Sequence, residues 1–230
     1  MRSILNSLAV LAALTVLQAA EPAWAQTAAV VEPTAEDLSR ATAEADALIA
    51  GTGAPELFVN ISGDDGMAKV RHRASGLVCP FLPGAENNTL RLFDLGDDSP
   101  GDDVGCNADI GPAFMTYYAT RYGPGYSAAD SARDAAAAIQ NRWPDARPYQ
   151  GTMARVAPPA GVDEVEYAAL LIGPPDAPRY THALTAKVGE WIFKQRMTGD
   201  GDEKSIMANQ IVAGAFFNDV LRAAVGAEKP

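Results

Sequence analysis

Apolar residues recur at helical spacing in three segments of the chain, which predicts three α-helices. The first helix is predicted to begin after Thr34, because a threonine followed by acidic residues is typical of a helix N-terminus. It is predicted to end at Gly51, since glycine commonly follows the last turn of a helix. Its apolar stripe consists of Leu38, Ala41, Ala45 and Leu48.

The other two predicted helices lie later in the chain. Ser127 and Asp130 form a capping-box pattern that opens an alanine-rich helix, and Pro144 ends that helix. The third helix is predicted from about residue 202 to residue 224 and has a wide apolar face. Gly214 within it would permit a close approach to another element.

Alternating apolar and polar residues predict strands between these helices. Residues 67–79 alternate cleanly and are predicted as one strand, with His72 on the apolar side and Lys69 and Arg71 on the other. Gly189-Glu190, between the last two strands, predicts a tight hairpin. The other predicted strands are residues 57–61, 89–95, 113–121, 153–156, 166–172, 180–188 and 191–198.

Strands that occur in runs, each run followed by a helix, indicate an α+β fold. We therefore expect a mainly antiparallel sheet in two strand-run-plus-helix halves, preceded by an N-terminal helix. The halves meet at residues 144–151 and can either share one sheet or pack as two layers. Residues 34–230 are expected to form a single domain after a flexible lead-in at residues 26–33.

The first 25 residues have the pattern of a cleaved signal peptide. Arg2 supplies a short basic region, residues 8–17 are apolar, and Ala23-Trp24-Ala25 matches the A-x-A cleavage pattern. The apolar run is too short to span a membrane. We expect the mature protein to begin at Gln26 and to be soluble and either periplasmic or secreted.

The formal net charge of −11 restricts the expected partners. An acidic protein is repelled by nucleic-acid phosphates and by anionic membrane surfaces, so neither is an expected partner. After the leader, no further apolar run in the sequence reaches the length of a membrane span. The expected partner is therefore a protein or a small molecule.

Cys79 and Cys106 are the two cysteines of the chain. In an oxidising compartment such a pair predicts a disulfide. Closing this loop would stabilise the fold by roughly 3–4 kcal/mol on the chain-entropy model. The spacing of the two cysteines matches no common metal motif, and free or catalytic thiols are the alternative.

An acidic segment without lysine or arginine extends from Leu92 to Thr120. Calcium binds six to eight oxygen ligands, so several carboxylates on one loop are candidate ligands. The spacing is not that of an EF-hand. A solvated loop tethered by Cys106 is the favoured interpretation, and pairing with a charged partner is a further alternative. No other cofactor is expected. The candidate calcium ligands are Asp97, Asp98, Asp102 and Asp103.

His72 and His182 are the only histidines, and each lies on the apolar side of a predicted strand. A partly buried, hydrogen-bonded core residue is the favoured interpretation for both. If their strands were adjacent, the two imidazoles could bind a transition metal or serve as acid and base.

Tyrosines cluster at the end of the strand predicted over residues 113–121. Tyr117 and its neighbour Tyr118 must point to opposite faces of a sheet, so one of them belongs to the core. Tyrosine buries a large area at low entropic cost, which suits contact with a ligand or a partner. A core role is still the favoured interpretation. The candidate contact residues are Tyr117, Tyr122, Tyr126, His72 and His182.

The sequence lacks the common catalytic motifs: the G-x-S-x-G elbow, the H-E-x-x-H zinc motif and the glycine-rich phosphate loops. We therefore expect an exported, non-enzymatic binding or envelope-associated protein. The alternative is an exported hydrolase or metal-dependent enzyme that uses His72 or His182 with nearby carboxylates. A cleft holding a histidine, an acid and a hydroxyl would favour the enzyme, whereas separate buried histidines would favour the binding protein.

Overall fold

The computed structural model describes residues 32–93, 100–109 and 114–227. The predicted leader, residues 26–31 of the lead-in and residues 94–99 and 110–113 of the acidic segment lie outside these ranges. Within them the chain forms three α-helices and ten strands, with a short 3-10 turn at Pro55–Leu57. In chain order the elements are α1 (Ala35–Ala50), β1 (Phe58–Asn60), β2 (Ala68–His72), β3 (Val78–Phe81), β4 (Thr89–Leu92), β5 (Asp103–Asp109), β6 (Phe114–Arg121), α2 (Ala128–Arg142), β7 (Arg147–Pro148), β8 (Val165–Ile172), β9 (Arg179–Val188), β10 (Trp191–Asp200) and α3 (Glu203–Ala227).

The strands form two antiparallel sheets, which confirms the α+β prediction. The small sheet has the order β1-β2-β3, and the large sheet has the order β4-β5-β6-β10-β9-β8-β7. Strand β6 of the first half pairs with strand β10 of the second half, in a register that joins Tyr117 to Gln195. The two halves therefore share one sheet.

The helix boundaries follow the predicted caps. Thr34 and Asp37 form a reciprocal capping box at the start of α1, and Ser127 and Asp130 do the same for α2. Helix α2 ends at Arg142, two residues before Pro144. None of the helices in the described ranges combines the length and apolarity that a membrane crossing requires.

The prediction of one strand over residues 67–79 is wrong, because the chain turns back on itself after His72. The His72 N–H donates to the Leu77 carbonyl at 2.8 Å, which closes a hairpin between β2 and β3. Gly76 in the turn has a φ of +73°, and a Cβ there would lie 2.8 Å from Cβ of Ala227. Only glycine suits this turn, since it must adopt a left-handed backbone and also contact α3 closely.

Two further predictions differ from the structure. Residues 103–109 form strand β5 between β4 and β6, where a solvated loop was expected. Residues 153–156 are irregular and pack along α3 instead of forming a strand. The Ala154 N–H donates to Gln210 Oε1 at 2.6 Å. A Cβ on Gly214 would lie 2.6 Å from Val156 Cγ2, which agrees with the close approach predicted for this glycine.

One face of the large sheet, which we call the closed face, carries the main core. Directly paired residues of an antiparallel sheet project to the same side, and Cys106, Tyr117, Gln195 and Leu184 pair in succession across four strands. All four are buried, and this side packs against α3 and the small sheet. The predicted disulfide between Cys79 and Cys106 is confirmed, with a Cα–Cα distance of 6.2 Å, and it joins the two sheets.

The opposite side of the large sheet, which we call the open face, is only partly covered. Helix α2 packs there on strands β8 and β9. The contacts are made by small and aliphatic residues, namely Ala135, Ile139, Ala168, Leu170, Ile172 and Ala183. Strands β4, β5 and β6 lie beyond this helix in the strand order, and the candidate site lies on them.

Candidate functional site

A groove of about 450 Å³ lies on the open face, between strand β4 and the C-terminal end of α2. We call it the basic groove. Its polar floor consists of Asn107, Thr116 and Thr198, and the backbones of Cys106 and Met197 border it. Four arginines and four aromatic residues complete its described lining: Arg91, Arg142, Arg179, Arg196, Phe93, Phe114, Tyr118 and Trp143.

The register of the large sheet places these side chains in rows. Asn107 pairs with Thr116, and Thr116 pairs with Arg196, so the three side chains project together from β5, β6 and β10. In the next row, Arg91 pairs with Gly105, and Gly105 pairs with Tyr118. Residues far apart in sequence therefore meet on one surface.

The groove concentrates positive charge in an acidic protein. Its four arginines come from β4, the end of α2, the start of β9 and the middle of β10. None of them forms an ion pair with a carboxylate that the structure describes, and none of the described lining residues is acidic. Arg196 is half-buried and the other three are exposed. Among the residues that the structure describes, the four guanidinium groups thus have no acidic partner, and three of the four side chains are exposed to solvent.

Gly105 allows two aromatic rings to approach each other beside the polar floor of the groove. A Cβ at this position would lie 2.7 Å from the Tyr117 carbonyl oxygen and 3.1 Å from the rings of Phe93 and Tyr118. With glycine there, the two rings approach to 5.8 Å between centroids from the strands on either side. A larger residue would force these rings apart.

Two cations lie over aromatic faces at the groove and beside it. The Arg142 guanidinium is 4.7 Å from the Trp143 ring centroid. The Lys194 ammonium is 4.5 Å from the Tyr118 ring centroid, in the same row. Burial lowers the pKa of Lys194, and the nearby charge of Arg196 lowers it further. These contacts hold the rings and the cations in fixed relative positions.

The chemistry available in the groove is recognition of negative charge. Arginine presents a planar fork of donors that pairs with carboxylate or phosphate through two hydrogen bonds. The Thr116 hydroxyl donates to Asn107 Oδ1 at 3.1 Å, which leaves the Asn107 amide hydrogens for a ligand. Among the described lining residues there is no histidine, serine or carboxylate to act as nucleophile or base.

The structure decides which of two neighbouring tyrosines is available to a ligand. Tyr117 is fully buried on the closed face, where its hydroxyl contacts Met115 Sδ at 3.1 Å. Its side chain therefore belongs to the core and is not open to a ligand from solvent. Tyr118 lines the basic groove. Alternation along β6 predicts that the two side chains diverge, and the positions of α2 and α3 decide which one is enclosed.

Tyr122 and Tyr126 lie together on a separate surface before α2. Their rings stack at 3.9 Å between centroids, and the Tyr126 hydroxyl donates to an Asp134 carboxylate oxygen at 2.6 Å. Arg133 in the same depression pairs with Asp130. The charged groups here already have partners within the chain, in contrast to those of the basic groove.

His72 and His182 belong to different sheets, and each is only 1 % exposed. His72 Nδ1 lies 2.9 Å from the Ser75 hydroxyl inside the β2–β3 turn. Neither ring nitrogen of His182 has a hydrogen-bond partner among the described residues. Burial lowers the pKa of each imidazole to about 4. The two histidines thus form no pair and share no cleft.

The candidate calcium ligands are divided between described and undescribed residues. Asp97 and Asp98 lie outside the described ranges. Asp102 pairs with Arg121 at 3.4 Å, and Asp103 accepts a hydrogen bond from Thr120 Oγ1 at 2.7 Å. Burial raises the pKa of Asp103. In the ranges that the structure covers, no three histidine, cysteine or acidic side chains lie close enough together to hold a metal ion.

The arginines of the groove could not be predicted as a cluster from the sequence, because they are single residues at positions 91, 142, 179 and 196. The sequence carries no signal that singles them out, because strand residues such as Tyr118 and Arg196 lie among other polar residues, for example Lys194. Comparison with known families finds no family model that matches the chain, and comparison with curated proteins finds no matching sequence.

Proposed function

We propose that this is an exported binding protein that captures a small organic anion in the basic groove. One observation carries the proposal: four arginines without described acidic partners converge on a groove in a chain of net charge −11. Clustering like charges costs free energy unless a ligand or solvent compensates it. An anion that binds several guanidinium groups supplies that compensation.

The buried histidines support a binding role over a catalytic one. His72 and His182 lie in separate sheets, and neither lines the basic groove. The hydrolase alternative requires a histidine beside a hydroxyl and an acid in an accessible cleft. His72 does contact Ser75, but both residues are buried in a turn where the Ser75 hydroxyl also accepts the Leu77 N–H. That hydroxyl has a structural partner already.

Export is part of the proposal and rests on two features. The leader has the three regions of a cleaved signal peptide. The disulfide between Cys79 and Cys106 suits the periplasm or the exterior, where thiols oxidise and remain paired. We therefore propose that the mature protein binds its ligand outside the cytoplasm.

The test is titration of the purified protein with benzene-1,3,5-tricarboxylate by isothermal titration calorimetry. We expect saturable binding that weakens as ionic strength rises from about 0.01 M to about 0.15 M, because the Debye length falls from about 30 to about 8 Å. Arg196→Gln should weaken binding by about tenfold to a hundredfold, since a charge-assisted fork is lost at the centre of the groove.

Arg222→Gln is the matched control, because it makes the same charge change on the exposed side of α3. It should leave the dissociation constant within about twofold, which is the scale of long-range screened effects. Arg196→Lys separates charge from geometry, and we expect an intermediate loss. Equal losses in Arg196→Gln and Arg222→Gln, or absence of binding by every tricarboxylate tested, would overturn the proposed function.

A further inference from the structure

The non-polar side chains that line the basic groove are aromatic. Four of its thirteen described lining residues are Phe, Tyr or Trp, whereas these residues make up 7 % of the chain. The described lining contains no alanine, valine, leucine or isoleucine. Cys106 and Met197 belong to the closed-face rows of the sheet, so their side chains point away from the groove. The surface offered to a ligand is thus made of rings and guanidinium planes.

Two of the four rings, Tyr118 and Trp143, have a cation over one face, and Phe114 offers open ring surface. Phe114 is 42 % exposed at the edge of the groove, although a phenylalanine is normally enclosed. Phe93 and Tyr118 approach each other over Gly105, beside the polar floor. Planar groups stack well on aromatic faces and on arginine, whereas a saturated chain gains only dispersion from the same contact.

We infer that the ligand is an aromatic polycarboxylate, a planar ring carrying two or more carboxylate groups. This inference rests on the proposed function and adds the chemical class of the ligand. The aromatic lining recognises the ring. Arginines at four separate positions around the groove recognise carboxylates that project from that ring in different directions.

A ligand needs more than one carboxylate to pair with several arginines of the groove. Arg196 lies in the middle of the large sheet, whereas Arg91 is on its edge strand and Arg142 ends the helix on the other side. A single carboxylate accepts one bidentate fork well, so one carboxylate does not pair in this way with all four arginines. A rigid ring holds its carboxylates apart at low entropic cost.

The test compares benzene-1,3,5-tricarboxylate with cis-cyclohexane-1,3,5-tricarboxylate by calorimetry under identical buffer conditions. Both anions carry the same three carboxylates, and only the first has a planar ring. We expect the aromatic acid to bind about fivefold to tenfold more tightly, which is the scale of an aromatic contact. Arg196→Gln should weaken both acids by a similar factor.

Two variants locate the preference in the groove. Tyr118→Leu should reduce the affinity ratio of the two acids to nearly one while leaving the cyclohexane acid almost unaffected. Phe114→Leu changes a more exposed ring and keeps the test valid if Tyr118→Leu fails to fold. Equal affinities for the two acids, both dependent on Arg196, would overturn the aromatic class and leave the anion-binding function standing. Failure of both acids to bind would overturn the proposed function itself.

Discussion

The two faces of the large sheet carry different kinds of side chain, although they are formed by the same strands. Tyr117 and Tyr118 are neighbours on β6, yet the first is fully buried and the second lines the basic groove. The closed face carries an extensive buried cluster and the disulfide. The part of the open face beyond α2 carries arginines, amides and exposed rings.

This contrast indicates that, within one strand, residues on the closed face contribute to stability and residues on the open face to the proposed binding. Burial of apolar surface on the closed face supplies most of the folding free energy, because that term scales with the area removed from water. The described side chains on the open-face side of the groove are half-buried or exposed, so they add less to folding than the buried side chains of the closed face. Substitutions on the two faces should therefore have different consequences.

The largest difference is expected between Tyr117→Ala and Tyr118→Ala. Tyr117→Ala should lower the free energy of unfolding by about 3–5 kcal/mol, the usual cost of removing a buried aromatic side chain. Tyr118→Ala should cost about 1 kcal/mol or less, because its ring is only half-buried. Urea denaturation followed by circular dichroism measures both values.

Binding should show the reverse order. At temperatures where both variants are folded, Tyr118→Ala should weaken binding of benzene-1,3,5-tricarboxylate and Tyr117→Ala should leave it nearly unchanged. If the two substitutions cost similar stability, the division of β6 into a structural and a functional side would be wrong.

The disulfide is expected to have the next largest effect. Replacing both cysteines, in Cys79→Ser with Cys106→Ser, should lower the free energy of unfolding by about 3–4 kcal/mol on the chain-entropy model. The bond joins the small sheet to β5 on the closed face, so the groove should keep its affinity in the folded variant. Reduction of the native protein by dithiothreitol should reproduce the loss, whereas the double variant should be insensitive to it.

A smaller effect is expected from the two buried histidines as the pH falls. Each folded-state pKa is about 4, below the ordinary value of 6.5, so the unfolded chain binds more protons between these values. The stability that the two neutral histidines contribute is therefore fully present above pH 6.5 and is lost as the pH falls towards 4. Each histidine should contribute about 1 kcal/mol of loss between pH 6.5 and 5.5.

Denaturant titrations at several pH values measure this slope. Asp37, Asp130 and Asp202 have pKa values lowered by hydrogen bonds at helix N-termini, so the stability that they contribute is lost mainly below about pH 4. The pKa values of Asp103 and Glu166 are raised, so their protonation opposes the histidine loss, and comparison with a histidine variant isolates the histidine contribution. His182→Asn should reduce the slope by about half. A protein equally stable at pH 6.5 and 5.5 would show that the closed face tolerates charged imidazoles.

Some structural predictions succeeded because their causes are local. The capping boxes at Thr34 and Ser127 act over three residues, and both helices begin where the pattern predicts. The hairpin at Gly189 likewise depends on a short turn between two alternating strands. The disulfide was predicted from having only two cysteines in a chain with a predicted export leader.

Other predictions failed where a distant element overrides the local pattern. Residues 103–109 do alternate, with Val104, Cys106 and Ala108 buried, but the surrounding aspartates and glycines suggested a loop. Pairing with β4 and β6 on both sides makes this segment a central strand. In the same way, the alternating sequence around Gly76 forms a turn, because Gly76 contacts α3 closely.

The sequence by itself determined the fold class, the caps, the disulfide and the divergence of Tyr117 from Tyr118, because each depends on residue type and short-range periodicity. Only the tertiary structure decided which side of the sheet is enclosed and which residues line the groove. The four arginines meet through strand register and through the position of α2, and these arise from packing between segments up to about a hundred residues apart. Local pattern sets the direction of a side chain, and long-range packing decides what it faces.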